Sequence, residues 1–169
     1  MDNTIFLIGM MGCGKSTMGR LLAPLLGADF LDLDEEIVRR EGRSIPEIFS
    51  AGGEEAFRRC ETAALQSACE AAPRVIATGG GVVTRQENID FMRAHGVVIW
   101  LCRPLEQMIG DVRQGNRPML AGNKEARMRA LYAQRETLYR QAAHIAFSNH
   151  MPPDEAAALL AAKLGLFHA

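Results

Sequence analysis

TIFLIGMMGCGKST, residues 4–17, sets the frame for the whole chain. Thr4–Ile8 is a short apolar run rich in strand-forming residues, the pattern of a buried strand. It passes directly into Gly9-x-x-x-x-Gly14-Lys15-Ser16, which has the full Walker A spacing. A helical pattern follows over Lys15–Leu26, with apolar residues at 18, 21, 22, 25 and 26, and Gly27 stops it. Strand, glycine loop and helix in that order form a cradle for phosphate. Glycines let the backbone turn tightly, so that successive N–H groups point at phosphate oxygens. The helix N-terminus adds its positive dipole end. In this reading Gly12, Cys13 and Gly14 supply backbone donors, and Lys15 reaches the β- and γ-phosphates of a nucleotide. Ser16 ligates Mg²⁺, and Thr17 contacts the α-phosphate.

The rest of the chain alternates strand and helix signals. Asp29–Leu33, Arg74–Ala77, Val97–Leu101 and His144–Phe147 read as four further strands. Ser44-Ile45-Pro46-Glu47 reads as a capped helix start. Helical patterns run from about 54 to 71, 85 to 94, near 104, 124 to 141 and 154 to 164. Residues 111–123 are polar, with two glycines and a proline, and read as a loop. The sum is an α/β protein, a five-stranded parallel sheet with helices on both faces, forming one domain over residues 1–169. Such sheets bind ligands beyond the carboxyl ends of their strands. Segments 9–17, 32–34 and 78–81 all fall at strand ends, so one shared site is expected.

Composition narrows the function. The net charge of −1 leaves no basic excess for general nucleic-acid binding. No basic segment followed by a long apolar run opens the chain, and no run is long enough for a membrane span. The cysteines at 13, 60, 69 and 102 have no CxxC spacing and suit a reducing cytoplasm. The histidines at 95, 144, 150 and 168 show no ligand spacing and read as surface or loop residues.

Asp32 and Asp34 stand two apart at the end of the second strand. If the extended backbone persists, both project to one side. One could hold Mg²⁺ through its water shell while the other takes a proton from an attacking hydroxyl. The alternative is a pair of acids capping a helix that starts near Glu35. A GTPase switch would want Asn-Lys-x-Asp, but Asn123-Lys124-Glu125-Ala126 lacks the aspartate. An ATPase driving a larger machine would want longer insertions. A small-molecule kinase is the class this size serves.

The ordered set GMMGCGKST, DLDEEI, GRSIPEIF, GEEAFRRCE, ATGGGVV, NRPML and QRETLYR resembles the shikimate kinase family. The resemblance implies a P-loop fold of the nucleoside-monophosphate-kinase type, with substrate-binding helices over about 34–62 and a lid over about 112–123. It implies ATP-dependent phosphorylation of the shikimate 3-hydroxyl, with Mg²⁺, by a cytoplasmic monomer. In residue terms it puts Asp32 near magnesium and makes Asp34 the base. Arg58 and Arg135 hold the shikimate carboxylate, with Glu61 steadying Arg58. Gly79, Gly80 and Gly81 approach the ring, Phe49 and Phe57 wall it, and Arg117 is the lid residue that reaches the phosphates. Guanidinium groups suit this task because they are planar and always charged. Gluconate and nucleoside monophosphate kinases are the rival readings. The Gly79–Gly81 turn with Phe57-Arg58-x-x-Glu61 favours shikimate. The chain departs from the family in a short spacer between Arg113 and Arg117. It also carries Phe147-Ser148 where the family often has Ile-Asp, which leaves the adenine pocket open.

Overall fold

The structure is a computed structural model that describes residues 3–70, 74–112 and 123–167. Five strands, β1 (Thr4–Ile8), β2 (Asp29–Asp32), β3 (Arg74–Ala77), β4 (Gly96–Cys102) and β5 (Ile145–Ser148), form one sheet in the order β2-β3-β1-β4-β5. All four pairings are parallel. The helices are α1 (Lys15–Leu25), α2 (Leu33–Glu41), α3 (Ile45–Ala68), α4 (Gln86–His95), α5 (Leu105–Val112), α6 (Lys124–Ala142) and α7 (Pro153–Phe167). A short 3-10 turn at Val82–Thr84 follows β3.

Strand order fixes which face each helix covers. Parallel crossovers are right-handed. The step from β1 to β2 runs one way along the sheet, and every later step runs the other way. Helix α1 therefore lies on one face, and α7 packs against it there. Helices α3, α4 and α6 cover the opposite face. Neighbouring strands β1 and β3 thus send their chains to opposite faces, which opens a crevice beyond their carboxyl ends.

The core is continuous across both layers. Strand β1 is fully buried along its length, as a central strand covered on both sides should be. Phe6, Leu22, Leu33, Ile37, Leu65, Met92, Val98 and Leu160 are completely inaccessible. Gly96 begins β4 in extended conformation, and a side chain there would collide with the Thr4 carbonyl. Only glycine lets β4 lie that close to β1. Among the described residues, no helix is long and apolar enough to cross a membrane.

One local boundary is corrected. The second strand stops at Asp32 rather than Leu33, because α2 begins there. The two helical segments expected around 44 and 54 are both present along α3, separated by a kink at Gly53, whose backbone is non-helical (φ 68°). The start of α3 is as expected. Ser44 Oγ accepts from Glu47 N–H, and the Glu47 carboxylate accepts from Ser44 N–H in return. The Ser44 hydroxyl lies 2.6 Å from the same carboxylate, and its hydrogen bond, with that of the Ser44 N–H, holds the Glu47 carboxyl below its ordinary value.

Candidate active site

The loop after β1 owes its shape to three glycines. Gly9, Gly12 and Gly14 have φ of 142°, 80° and 93°, a region that side-chain-bearing residues rarely enter. Gly14 caps α1 in the left-handed conformation, so the first N–H groups of the helix face the loop. Lys15 Nζ donates to the Gly9 and Met10 carbonyls at 2.8 and 3.0 Å, which places the ammonium group inside the loop. Ser16 Oγ donates to Asp32 Oδ2 at 2.5 Å.

Asp32 does two jobs. Its Oδ1 caps α2 by accepting from Asp34 N–H at 3.0 Å and Glu35 N–H at 3.4 Å. Its Oδ2 takes the Ser16 hydroxyl. The expectation that Asp32 and Asp34 share a strand face is therefore corrected. Asp32 is the N-cap, and Asp34 lies in the first turn of α2. Capping ends the extended run because the carboxylate offers the backbone donors a local partner. Both acids nevertheless reach the same cleft of about 370 Å³, which Gly12, Gly14, Lys15, Ser16, Thr17, Thr78, Gly79 and Gly80 also line.

The glycine turn after β3 forms the opposite wall. Thr78 anchors it, with both its N–H and its hydroxyl donating to the Leu7 carbonyl. Each glycine then meets a charged group. A Cβ on Gly79 would lie 2.6 Å from Glu61 Oε1 and 3.3 Å from Asp34 Oδ1. One on Gly80 would lie 3.7 Å from Arg135 Nη1 and 3.4 Å from the Met11 nitrogen. One on Gly81 would overlap the Arg58 guanidinium. Glu61 crowds position 79 and the Arg58 guanidinium crowds position 81, so both must be glycine, whereas a Cβ at 80 would make only ordinary contacts.

Arg58 and Glu61 form a buried pair on α3. Arg58 is 5% exposed and Glu61 is inaccessible, and Arg58 Nη1 donates to Glu61 Oε2 at 2.7 Å. Glu54 accepts from Arg58 Nε and Nη2. Burial works against the Arg58 charge, but Glu61 and Glu54 outweigh it, and its pKa rises. Burial pushes the Glu61 carboxyl up, opposed by Arg58. Among the described residues, Glu61 Oε1 has no hydrogen-bond partner, and it lies against Gly79. Arg135 is 4% exposed on α6. Both guanidinium groups stand directly behind the glycines rather than out in the open cleft. Phe57 is buried and Phe49 half-buried, and their rings stack with centroids 4.9 Å apart. Arg59 is exposed and lies by Glu55.

Sequence reading missed three contributors. Tyr139, buried and stacked near Trp100, donates its hydroxyl to the Gly80 carbonyl. Burial drives its phenol pKa well upward, so it remains a donor. Arg103 donates to the Gly12 carbonyl at 2.9 Å and pairs with Asp111. Asn149 Nδ2 donates to the Cys13 carbonyl at 2.8 Å. A second cavity of about 280 Å³ adjoins the loop, lined by Gly14, Thr17, Arg103, Asn149, His150 and Pro153 among others. His144 is more than a surface residue, since its Nδ1 accepts from Val98 N–H. Arg113, Arg117 and nearly all of the expected lid lie outside the described residues, as does His168.

Comparison with known proteins decides the family. The shikimate kinase family model matches residues 11–164. The chain belongs to the shikimate kinase family. It is 48% identical to the shikimate kinase of Acinetobacter baylyi over 142 residues, covering 83% of this chain and 79% of that protein. The shikimate kinase of Nitrosomonas europaea is 45% identical over 143 residues, covering 83% and 68%. The shikimate kinase of Acinetobacter baumannii, solved in complex with shikimate, superposes with a TM-score of 0.87 at 41% identity, over 96% of this chain and 90% of that one. The shikimate kinase motifs read from the sequence, DLDEEI, GEEAFRRCE, ATGGGVV and QRETLYR, are the segments that meet at the glycine turn.

Proposed function

We propose that this chain transfers the γ-phosphoryl group of ATP to the 3-hydroxyl of shikimate, giving shikimate 3-phosphate and ADP. One observation carries the reading: Asp34, Arg58–Glu61 and Arg135 converge on Gly79–Gly81 beside a complete phosphate loop. Family membership supports the choice of acceptor.

The loop from Gly9 to Thr17 receives the polyphosphate on its backbone donors. Lys15 exchanges the Gly9 and Met10 carbonyls for β- and γ-phosphate oxygens. The adjoining 280 Å³ cavity, beside Asn149 and Pro153, takes the base. Arg58 and Arg135 grip the shikimate carboxylate, and the ring lies along the glycine backbone. Asp34 accepts the proton of the 3-hydroxyl as its oxygen bonds to the γ-phosphorus. The bond from γ-phosphorus to the β-bridging oxygen breaks, and ADP leaves. The chain therefore works by placement and charge rather than through a covalent intermediate. Arg117 is assigned the task of balancing charge on the transferring group.

Mg²⁺ fits the donor set. Ser16 Oγ and the Asp32 carboxylate are hard oxygens in direct contact at the cleft. Among the described residues, no group of three or more His, Cys, Asp and Glu could hold a metal ion. A sparse protein shell suits an ion that keeps its waters and phosphate oxygens. When bound, Mg²⁺ neutralises charge on the phosphate oxygens. Ser16 and Asp32 would hold it, Asp32 through water. The reading is completed by a monomer working in the cytoplasm.

A coupled ADP-release assay with shikimate, gluconate, AMP or no acceptor tests the reaction. ADP release is expected with shikimate alone. Turnover with gluconate or AMP and none with shikimate would contradict it.

A further inference from the structure

Arg103 leaves the end of β4 and enters the nucleotide region from the side opposite the glycine turn. It lines both the 370 Å³ phosphate cleft and the 280 Å³ cavity beside it. Thr17, Gly14 and Asp111 are also common to both. These residues therefore mark the junction of the two spaces. The Arg103 side chain is 25% exposed. Its Nη1 is held by the Gly12 carbonyl and by Asp111. Among the described residues, Nε and Nη2 make no hydrogen bond.

We propose that Arg103 is a nucleotide-binding residue, contacting the α-phosphate of a nucleoside di- or triphosphate at the junction between phosphate cleft and base cavity. The proposal rests on the kinase reading above and assigns one further contact within it. Two observations carry it beyond a purely structural role. First, tying down the Gly12 carbonyl uses one nitrogen of a group with five donors, and the remaining N–H groups suit an anionic oxygen. Second, the junction needs a cation. An α-phosphate seated between the loop and a base cavity lies beyond the span assigned to Lys15, which serves the β- and γ-phosphates. Asp111 completes the device. It holds the guanidinium in place and balances its charge, and it is itself exposed enough to give up that bond cheaply.

Calorimetric titration of the full chain with ADP, with AMP and with shikimate alone tests this, using Arg103→Gln, Arg103→Lys and Arg103→Gln/Asp111→Asn. Glutamine loses the charge and, being two bonds shorter, the Nη1 donor to the Gly12 carbonyl as well. Lysine keeps the charge. Arg103→Gln is expected to bind both ADP and AMP roughly tenfold more weakly, with shikimate affinity unchanged. Arg103→Lys should recover most of the loss, and the double variant should not. Wild-type affinity for ADP in Arg103→Gln would overturn the contact. Equal weakening toward shikimate, with a lowered Tm, would reduce Arg103 to a strut for the loop and also overturn it. Recovery in the double variant would trace the loss to the unpaired Asp111 and overturn it as well. Failure of the wild-type chain itself to bind ADP would instead strike the kinase reading.

Discussion

Asp34→Asn is expected to lower kcat for shikimate phosphorylation by roughly 10²–10⁴-fold while leaving ADP affinity within about twofold. The substitution is almost isosteric. It keeps the backbone N–H that Asp34 donates to Asp32, so the start of α2 survives. It removes the negative charge and with it the capacity to accept a proton. Asp34 is half-buried, lines the phosphate cleft, and has Oδ1 close to Gly79, where the acceptor ring is assigned. Steady-state kinetics and ADP titration on the same preparation separate the two effects. Turnover near wild type would remove Asp34 as the base. A parallel loss of ADP binding would mean that it shapes the phosphate loop instead.

Replacing Arg58 should give the second large effect, in two distinguishable parts. Arg58→Ala leaves the inaccessible Glu61 carboxylate without its partner. Breaking such a pair costs about 3–5 kcal/mol of folding stability. That cost alone would obscure any binding role. Arg58→Met with Glu61→Leu removes both charges together and should return most of the stability, because a buried pair replaced by well-packed hydrophobic groups is close to neutral. The acceptor site remains damaged in this double variant. Losing a charge-assisted hydrogen bond worth about 1.5–3 kcal/mol raises the KM for shikimate by roughly 10–150-fold. The KM for ATP stays the same. Arg59→Ala, which alters an exposed neighbour, should change neither. Recovery of the shikimate KM in the double variant would assign Arg58 to the fold rather than to the acceptor.

Much of this arrangement was legible in the sequence, and the physics of each element explains what was not. The five strands are short apolar runs ended by glycine or polar residues, so their existence and the alternation with helices could be read directly. Their order could not, because right-handed crossovers allow several sequences of steps across the sheet. The start of α2 was hidden because Leu33, just past Asp32, is as compatible with a strand as Phe30 and Leu31 before it. Only the Asp32 carboxylate, turned back to the backbone, reveals the helix start. The capping box at Ser44 was visible because both halves of that exchange lie three residues apart. Within the site, the phosphate loop could be read from spacing alone. The roles of Arg58, Arg135 and the three glycines came from family resemblance, and the structure supplies the reason those residues belong together. Arg103, Tyr139 and Asn149 left no local signal. Their partners Gly12, Gly80 and Cys13 are 91, 59 and 136 positions away. Such contacts follow from strand order, and strand order was the part the pattern left free.

The central claim is spatial: a nucleotide's terminal phosphate and a small hydroxylated acid meet between the phosphate loop and the Gly79–Gly81 turn. A crystal structure of the chain with ADP and shikimate bound tests it most directly. The account predicts the shikimate carboxylate within hydrogen-bonding distance of Arg58 and Arg135, its 3-hydroxyl facing Asp34, and the β-phosphate on the backbone of residues 12–16. A carboxylate seated elsewhere, beyond hydrogen-bonding reach of either guanidinium, would contradict it.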